Sequence, residues 1–230
     1  MLIVPLALLF LAGSAVASSL CAQGTLLAYT NTYNTNSVSN SCQIGDKLFY
    51  NFSYNVNVGP APAASAILIL LDPGDGVTNP GLIFSAGGLK VNPGSTMDVT
   101  FEYNVATLSG SAVMDDYELS ITGSHTLAPN GTASGSVVES FSNVPAVPSL
   151  TALVGPGSQI VSTVREDFIP FVSGTHVTTV LSMTSPTGSN DVVTISSITE
   201  QFSEEIPEPY EAVLIGSGLL LLGLWRKRIA

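Results

Sequence analysis

The chain predicts an all-β fold, an antiparallel β-sandwich of jelly-roll or immunoglobulin-like type, on three observations. No stretch between residues 22 and 205 sustains a 3.6-residue apolar period. Period-two alternation recurs instead, rich in β-branched and aromatic residues. Gly, Pro, Asn and Ser clusters break it roughly every 10–20 residues, as hairpin-connected sheets require.

Ahead of the β region, residues 1–17 (MLIVPLALLFLAGSAVA) form an apolar run closed by small residues. Ala15 and Ala17 frame an A-x-A site, so the stretch is expected to be a signal peptide cleaved after Ala17. A basic start to that segment is missing. Cys21 raises a lipoprotein alternative, but Ser18-Ser19-Leu20 lacks an aliphatic residue three before the cysteine and a small one directly before it.

The exported region, 18–209, then carries Lys47, Lys90 and Arg165 against sixteen acids (all seventeen except Glu211), a net charge of −13. Such a surface repels phosphate backbones, which excludes nucleic-acid partners. Cys21 and Cys42 are the only cysteines and both lie in this region. An even pair in an oxidising compartment is expected to form one structural disulfide, contributing about 3 kcal/mol by loop closure.

The strands are expected in order. Thr25–Thr30 opens the series, and Lys47–Val58 follows with one buried face made by Leu48, Tyr50, Phe52, Tyr54, Val56 and Val58. Ala66–Leu71 is apolar on both faces and is expected to be central. Residues 72–76 (DPGDG) make a turn before Gly81–Ser85. Met97–Ala106, Val113–Thr122, Ala133–Phe141, Gln159–Phe168, His176–Thr184 and Asp191–Phe202 complete the set. Residues 18–205 are read as one β domain. Two halves split near 144–156 remain the alternative, because that stretch holds three prolines and the phrases Glu139-Ser-Phe-Ser142 and Glu200-Gln-Phe-Ser203 echo one another.

Chemistry is sparse. His125 and His176 are the only histidines and no G-x-S-x-G surrounds any serine, so satisfied strand histidines are expected rather than a triad. The chain has no H-x-H, H-E-x-x-H or cysteine cluster, and no cofactor is expected. Asp72 with Asp75, and Asp115 with Asp116 and Glu118, are the best-spaced calcium candidates, although Asp and Gly also build ordinary turns. Aromatic residues fall mostly at alternating inward positions, which favours a core over a sugar-stacking platform.

The tail is the most specific stretch. Residues 212–225 (AVLIGSGLLLLGLW) are uncharged, and as a helix these fourteen would span roughly 21 Å, a short transmembrane segment. Arg226, Lys227 and Arg228 follow directly and orient such a helix with its C-terminus in the cytoplasm. Before it, Pro207-Glu208-Pro209 fixes an extended, exposed peptide. Motif, apolar run and basic cluster in that order resemble the PEP-CTERM sorting signal of Gram-negative bacteria. The resemblance covers residues 206–228 and departs from the usual pattern in its short apolar run and in Glu211. It implies an exosortase as partner, a transient hold in the inner membrane, and delivery to the outer envelope or an extracellular polysaccharide matrix. Cys42-Gln-Ile-Gly-Asp46-Lys47-Leu48-Phe49, leading into Asn51-Phe-Ser-Tyr54, is similar to a segment of other exported PEP-CTERM proteins and implies no reaction.

The expected function is therefore that of an exported structural or adhesive protein, not an enzyme. One rival is a carbohydrate-binding module, which needs exposed aromatics on one sheet face. The other is a secreted hydrolase, which needs an acid pair or a His–Ser pair in a cleft.

Overall fold

Strict alternation sets the sandwich. In the strand Thr96–Thr107, Met97, Val99, Phe101, Tyr103 and Val105 are buried in the core, while Asp98, Thr100, Glu102 and Asn104 between them stand on the outer face, Asn104 alone covered there. The computed structural model describes residues 18–74, 79–108, 113–126, 133–142, 144, 150–154, 160–188 and 190–205. The signal-peptide site at Ala15 and Ala17, the sorting motif at Pro207, Glu208 and Pro209, the apolar run 212–225, the cluster Arg226, Lys227 and Arg228, and Asp75 lie outside them. Among the described residues no helix is long and apolar enough to cross a membrane.

In chain order the elements are β1 (Ser19–Leu20), β2 (Gly24–Thr25), α1 (Leu26–Thr32), β3 (Cys42–Ile44), β4 (Lys47–Val58), β5 (Leu68–Asp72), β6 (Gly81–Ser85), β7 (Lys90–Val91), β8 (Thr96–Thr107), β9 (Val113–Thr126), β10 (Ser134–Phe141), β11 (Leu150–Val154), β12 (Ile160–Val172), β13 (Gly174–Thr184) and β14 (Val192–Glu205). The front sheet runs β1-β3-β4-β8-β13-β10-β11 and the back sheet β12-β9-β14-β6-β5-β2, with β7 on β14. Pairings are antiparallel except β1 with β3. Both sheets draw strands from either side of residues 144–156.

Aromatic side chains fill the space between the sheets. Phe49, Phe52 and Tyr103 of the front sheet meet Phe84 and Phe202 of the back sheet, and a second group joins Tyr117, Phe141 and Phe168. Each fully buried ring contributes on the order of 2–3 kcal/mol. Two ties are polar. Tyr103 donates to Glu200 Oε2 across the core, and Thr179 Oγ1 donates to Glu200 Oε1 at 2.6 Å. Lys47, fully buried, pairs with Asp46 at 2.9 Å and with Glu204 at 3.0 Å. The expected disulfide joins Cys21 to Cys42.

Three expectations are corrected. Thr25–Thr30 is not a strand: Thr25 ends β2 and caps α1, its Oγ1 accepting from the Ala28 amide at 3.2 Å, while Leu26 and Tyr29 are buried one turn apart. The apolar run around Leu68 is not central, because only the two-residue β2 lies beyond β5 and Leu68 is 46% exposed. Within the proline-rich stretch, Leu150–Val154 forms an edge strand on β10 that was not expected. A fourth correction, in β4, shapes the site.

Candidate functional site

The strand β4 does not keep one parity. Tyr50 pairs with Asn104 and Ser53 pairs with Glu102, so two residues of β4, Asn51 and Phe52, oppose Tyr103 alone. That is a β-bulge, and Asn51 sits in it at φ 60°, a left-handed conformation that asparagine tolerates better than most side chains. Phe49 and Phe52 both turn into the core as a result. Tyr50, expected in the buried face, turns to the outer face instead.

The bulge creates a row across three strands. Tyr50 of β4, Asn104 of β8 and His176 of β13 stand side by side in register. Asn36, from the segment after α1, reaches over them. Asn104 Nδ2 donates to Asn36 Oδ1 at 2.7 Å, and Asn104 Oδ1 lies 2.6 Å from His176 Nδ1. The Asn104 side chain is thereby used at both ends, consistent with its 8% exposure. The next row is Ser53, Glu102 and Thr178. Ser53 donates to Glu102 Oε2 at 2.7 Å, and Glu102 Oε1 stands 3.9 Å from His176 Nε2.

The first row, not the second, walls a cleft of about 460 Å³, lined by Asn36, Tyr50, Asn51, Asn104, Thr175 and His176 together with Ala106, Ser142, Ser173 and Gly174. Small residues keep its end open. A Cβ at Gly174 would stand 3.2 Å from both Ala106 Cβ and Val105 O. Thr175 Oγ1 donates to the Ser142 carbonyl at 2.6 Å, tying the far wall to β13. Farther along the same face, Asp98 accepts from Asn57 at 2.6 Å and Ser182 at 2.7 Å. Amides, hydroxyls, one imidazole and one phenol ring thus converge, and no Lys or Arg is among the lining residues.

A second hollow of about 630 Å³ lies at the edge strand β12, lined by Asp115, Asp167, Phe168, Ile169, Pro170 and Phe171. Five of its six lining residues are consecutive. Its one strongly exposed ring, Phe171 at 49%, stands on the irregular end of β12, where the register with β9 shifts between Asp167 and Val172.

The other candidates are dispersed. Asp72 closes its own turn, accepting from the Gly74 amide at 2.9 Å and from Gln201 at 3.1 Å. Asp116 accepts from Arg165 and from Ser203. Burial, and then the neighbouring Asp116, push the Asp115 carboxyl above its ordinary range. Among the described residues no group of three or more His, Cys, Asp or Glu is placed to hold a metal ion. His125 is buried with its Nε2 4.0 Å from Asp191. Both histidines therefore stand near a carboxylate, but the serine by Glu102 donates to that carboxylate and not to His176. A Ser-His-acid order of hydrogen bonds is not formed there.

Sequence reasoning missed Tyr50, Asn51, Asn104 and Asn36 as site residues. The Asn51 bulge has no signature that a strict period-two reading detects.

No protein-family model matches the chain, and no curated protein matches it. Solved structures similar to it include the carbohydrate-binding module TmCBM61 in complex with β-1,4-galactotriose, at 9% identity and TM-score 0.31, covering 65% of this chain and 86% of that one. The enzymatically active domain of bacteriophage CBA120 tailspike protein 4 is similar at 8% identity and TM-score 0.30, covering 69% of this chain and 19% of that one. A family 29 carbohydrate-binding module matches at 11% identity and TM-score 0.18, covering 65% and 88%. Scores of this size carry no weight for ligand or function.

Proposed function

We propose that the chain is an exported glycan-binding β-sandwich protein, a binder and not a catalyst, working in the cell envelope or an extracellular polysaccharide matrix. The observation that carries this reading is the cleft row Tyr50–Asn104–His176 with Asn36 over it. A sugar offers hydroxyls that both donate and accept, plus apolar C–H faces. Side-chain amides and an imidazole match the first, and a phenol ring at the edge matches the second. Pre-bonding of Asn104 at both ends fixes its orientation, which lowers the ordering cost of binding. The test is calorimetric titration of the full-length protein with a panel of oligosaccharides. Binding lost in Tyr50→Ala and in His176→Ala, with an unchanged circular dichroism spectrum, supports the reading. Unchanged affinity in both variants overturns it.

The route to that location is carried by a different observation, the ordered tail of Pro207-Glu208-Pro209, residues 212–225 and Arg226-Lys227-Arg228. In this reading an exosortase recognises the Pro-Glu-Pro segment and releases the β domain from the inner membrane. Intact mass and fractionation from the native host test it. A species running from near Ser18 to near Pro207–Pro209, outside the inner membrane, is expected. A full-length C-terminus retained there would make the tail a plain anchor.

A further inference from the structure

As the Asn104 amide lies, its Nδ2 donates to Asn36 and its Oδ1 is left to accept. The 2.6 Å contact therefore puts the imidazole proton on Nδ1 of His176. In the neutral ring Nε2 is then an acceptor. It stands 3.9 Å from Glu102 Oε1, another acceptor, whose partner oxygen Oε2 is already taken by Ser53 at 2.7 Å. At that spacing the two cannot bond each other, yet a point between them lies about 2.8 Å from both, the ordinary length of a hydrogen bond. Both side chains are about a third exposed, at 32% and 33%, so the gap is open to a ligand.

What fills it must donate twice: a water molecule can, so a glycan group that displaces the water has to donate twice as well. A hydroxyl or an acetamido N–H carries one proton and leaves one acceptor facing a lone pair or nothing. A primary ammonium carries three donors and no acceptor, and its charge is opposite to that of Glu102. No protein cation competes for the place among the described residues. Lys47 is buried against Asp46 and Glu204, Arg165 is held by Asp116, and Lys90 lies in β7 on the back sheet.

We propose that His176 Nε2, in the cleft, and Glu102 Oε1, in the row beside it, seat the ammonium of a deacetylated amino sugar, so that the site selects cationic amino-glycans over neutral and uronate ones. This rests on the glycan-binding reading above.

The experiment is titration of the full-length protein with three trisaccharides of one size: glucosamine, N-acetylglucosamine and galacturonate. Because the whole molecule is acidic and attracts any cation, each titration is repeated with Glu102→Gln and with Glu166→Gln. The second variant removes the same charge from an exposed position on β12 of the opposite sheet. The glucosamine trimer is expected to bind about tenfold tighter than the acetylated one, the scale of one charged hydrogen bond. Glu102→Gln is expected to erase that preference, and Glu166→Gln to leave it. Equal binding of the two trimers to the unmodified protein would sink the ammonium seat and leave the glycan reading standing. Equal losses in the two variants would reduce the effect to overall charge, and spermidine binding as tightly as the trimer would remove the sugar from the assignment. If no oligosaccharide binds, both readings fall.

Discussion

Tyr103 on the front sheet donates its phenolic proton to Glu200 on the back sheet, inside a core where Glu200 is fully buried. Glu139 lies close enough to feel the Glu200 charge, is also buried, and has no hydrogen-bond partner for either oxygen among the described residues. Burial pushes the Glu200 carboxyl up to about 7, against lowering by the Thr179 and Tyr103 hydroxyls. Burial, and then Glu200, raise Glu139 well above the ordinary carboxylate range. These acids are most stably buried when neutral.

Stability is therefore expected to fall with rising pH. A carboxyl with a folded-state pKa above its unfolded value contributes fully below the unfolded value, roughly 4.3, and loses that contribution as pH climbs through the folded one. For Glu200 the loss is centred between that value and about 7. Glu204, raised to about 7 by burial first, acts in the same sense. The melting temperature should be higher at pH 5 than at pH 8, and Glu200→Gln should flatten the slope. A melting temperature that rises over this range would contradict the assignment.

Removing the disulfide should destabilise without unfolding the sandwich. The bridge spans 21 residues of sequence, and loop closure of that size is worth about 3 kcal/mol. Urea titration of Cys21→Ser paired with Cys42→Ser should show a lower midpoint with native-like circular dichroism before the transition. An unchanged midpoint would mean that the bridge contributes nothing.

Asn51 separates backbone from side-chain effects. At φ 60°, Asn51→Gly is expected to stay within a few tenths of a kcal/mol of the parent, and Asn51→Val to cost about 1–2 kcal/mol. The valine variant should also weaken glycan binding, because relieving its strain shifts Tyr50 out of register with Asn104. Equal stability of the two variants in thermal melts would argue against the bulge.

Asn104→Ala removes both hydrogen bonds of a nearly buried amide and leaves Asn36 and His176 without their shared partner. A loss of about 1–3 kcal/mol is expected in chemical denaturation, with His176 ring resonances in NMR losing the signature of a fixed tautomer. A variant with unshifted ring resonances would place His176 outside the hydrogen-bond chain.

For the tail, Glu208→Ala is expected to leave export intact and to block maturation, seen as a larger intact mass in the membrane fraction. Normal processing of the variant would remove the Pro-Glu-Pro motif from recognition.

Much of the sandwich is legible in the sequence, because β13 alternates without interruption and the apolar residues of β8 do so from Met97 to Val105, each predicting the next. The pairing of Cys21 with Cys42 is legible because no other cysteine competes. The helix α1 is not, since its seven residues, LLAYTNT, are too short to display a 3.6-residue period. Nor is the cleft. Its ring, Tyr50, reads as core until one left-handed asparagine flips the parity of β4. Its amides meet only in three dimensions, Asn36 and Asn104 being 68 residues apart.

The buried Lys47–Glu204 pair has a mechanical meaning. Lys47 is the neighbour in sequence of Leu48, which pairs with Ala106 at the end of the cleft, and Glu204 is the neighbour of Glu205, where β14 gives way to the tail. The cleft and Glu205, the last described residue, thus lie at the same end of the sandwich. A pull between a held polymer and a tethered tail would cross the thickness of the domain there. The force would pass from β4 to β14 beside the Lys47–Glu204 contact and leave most of the β14 ladder with β9 unloaded.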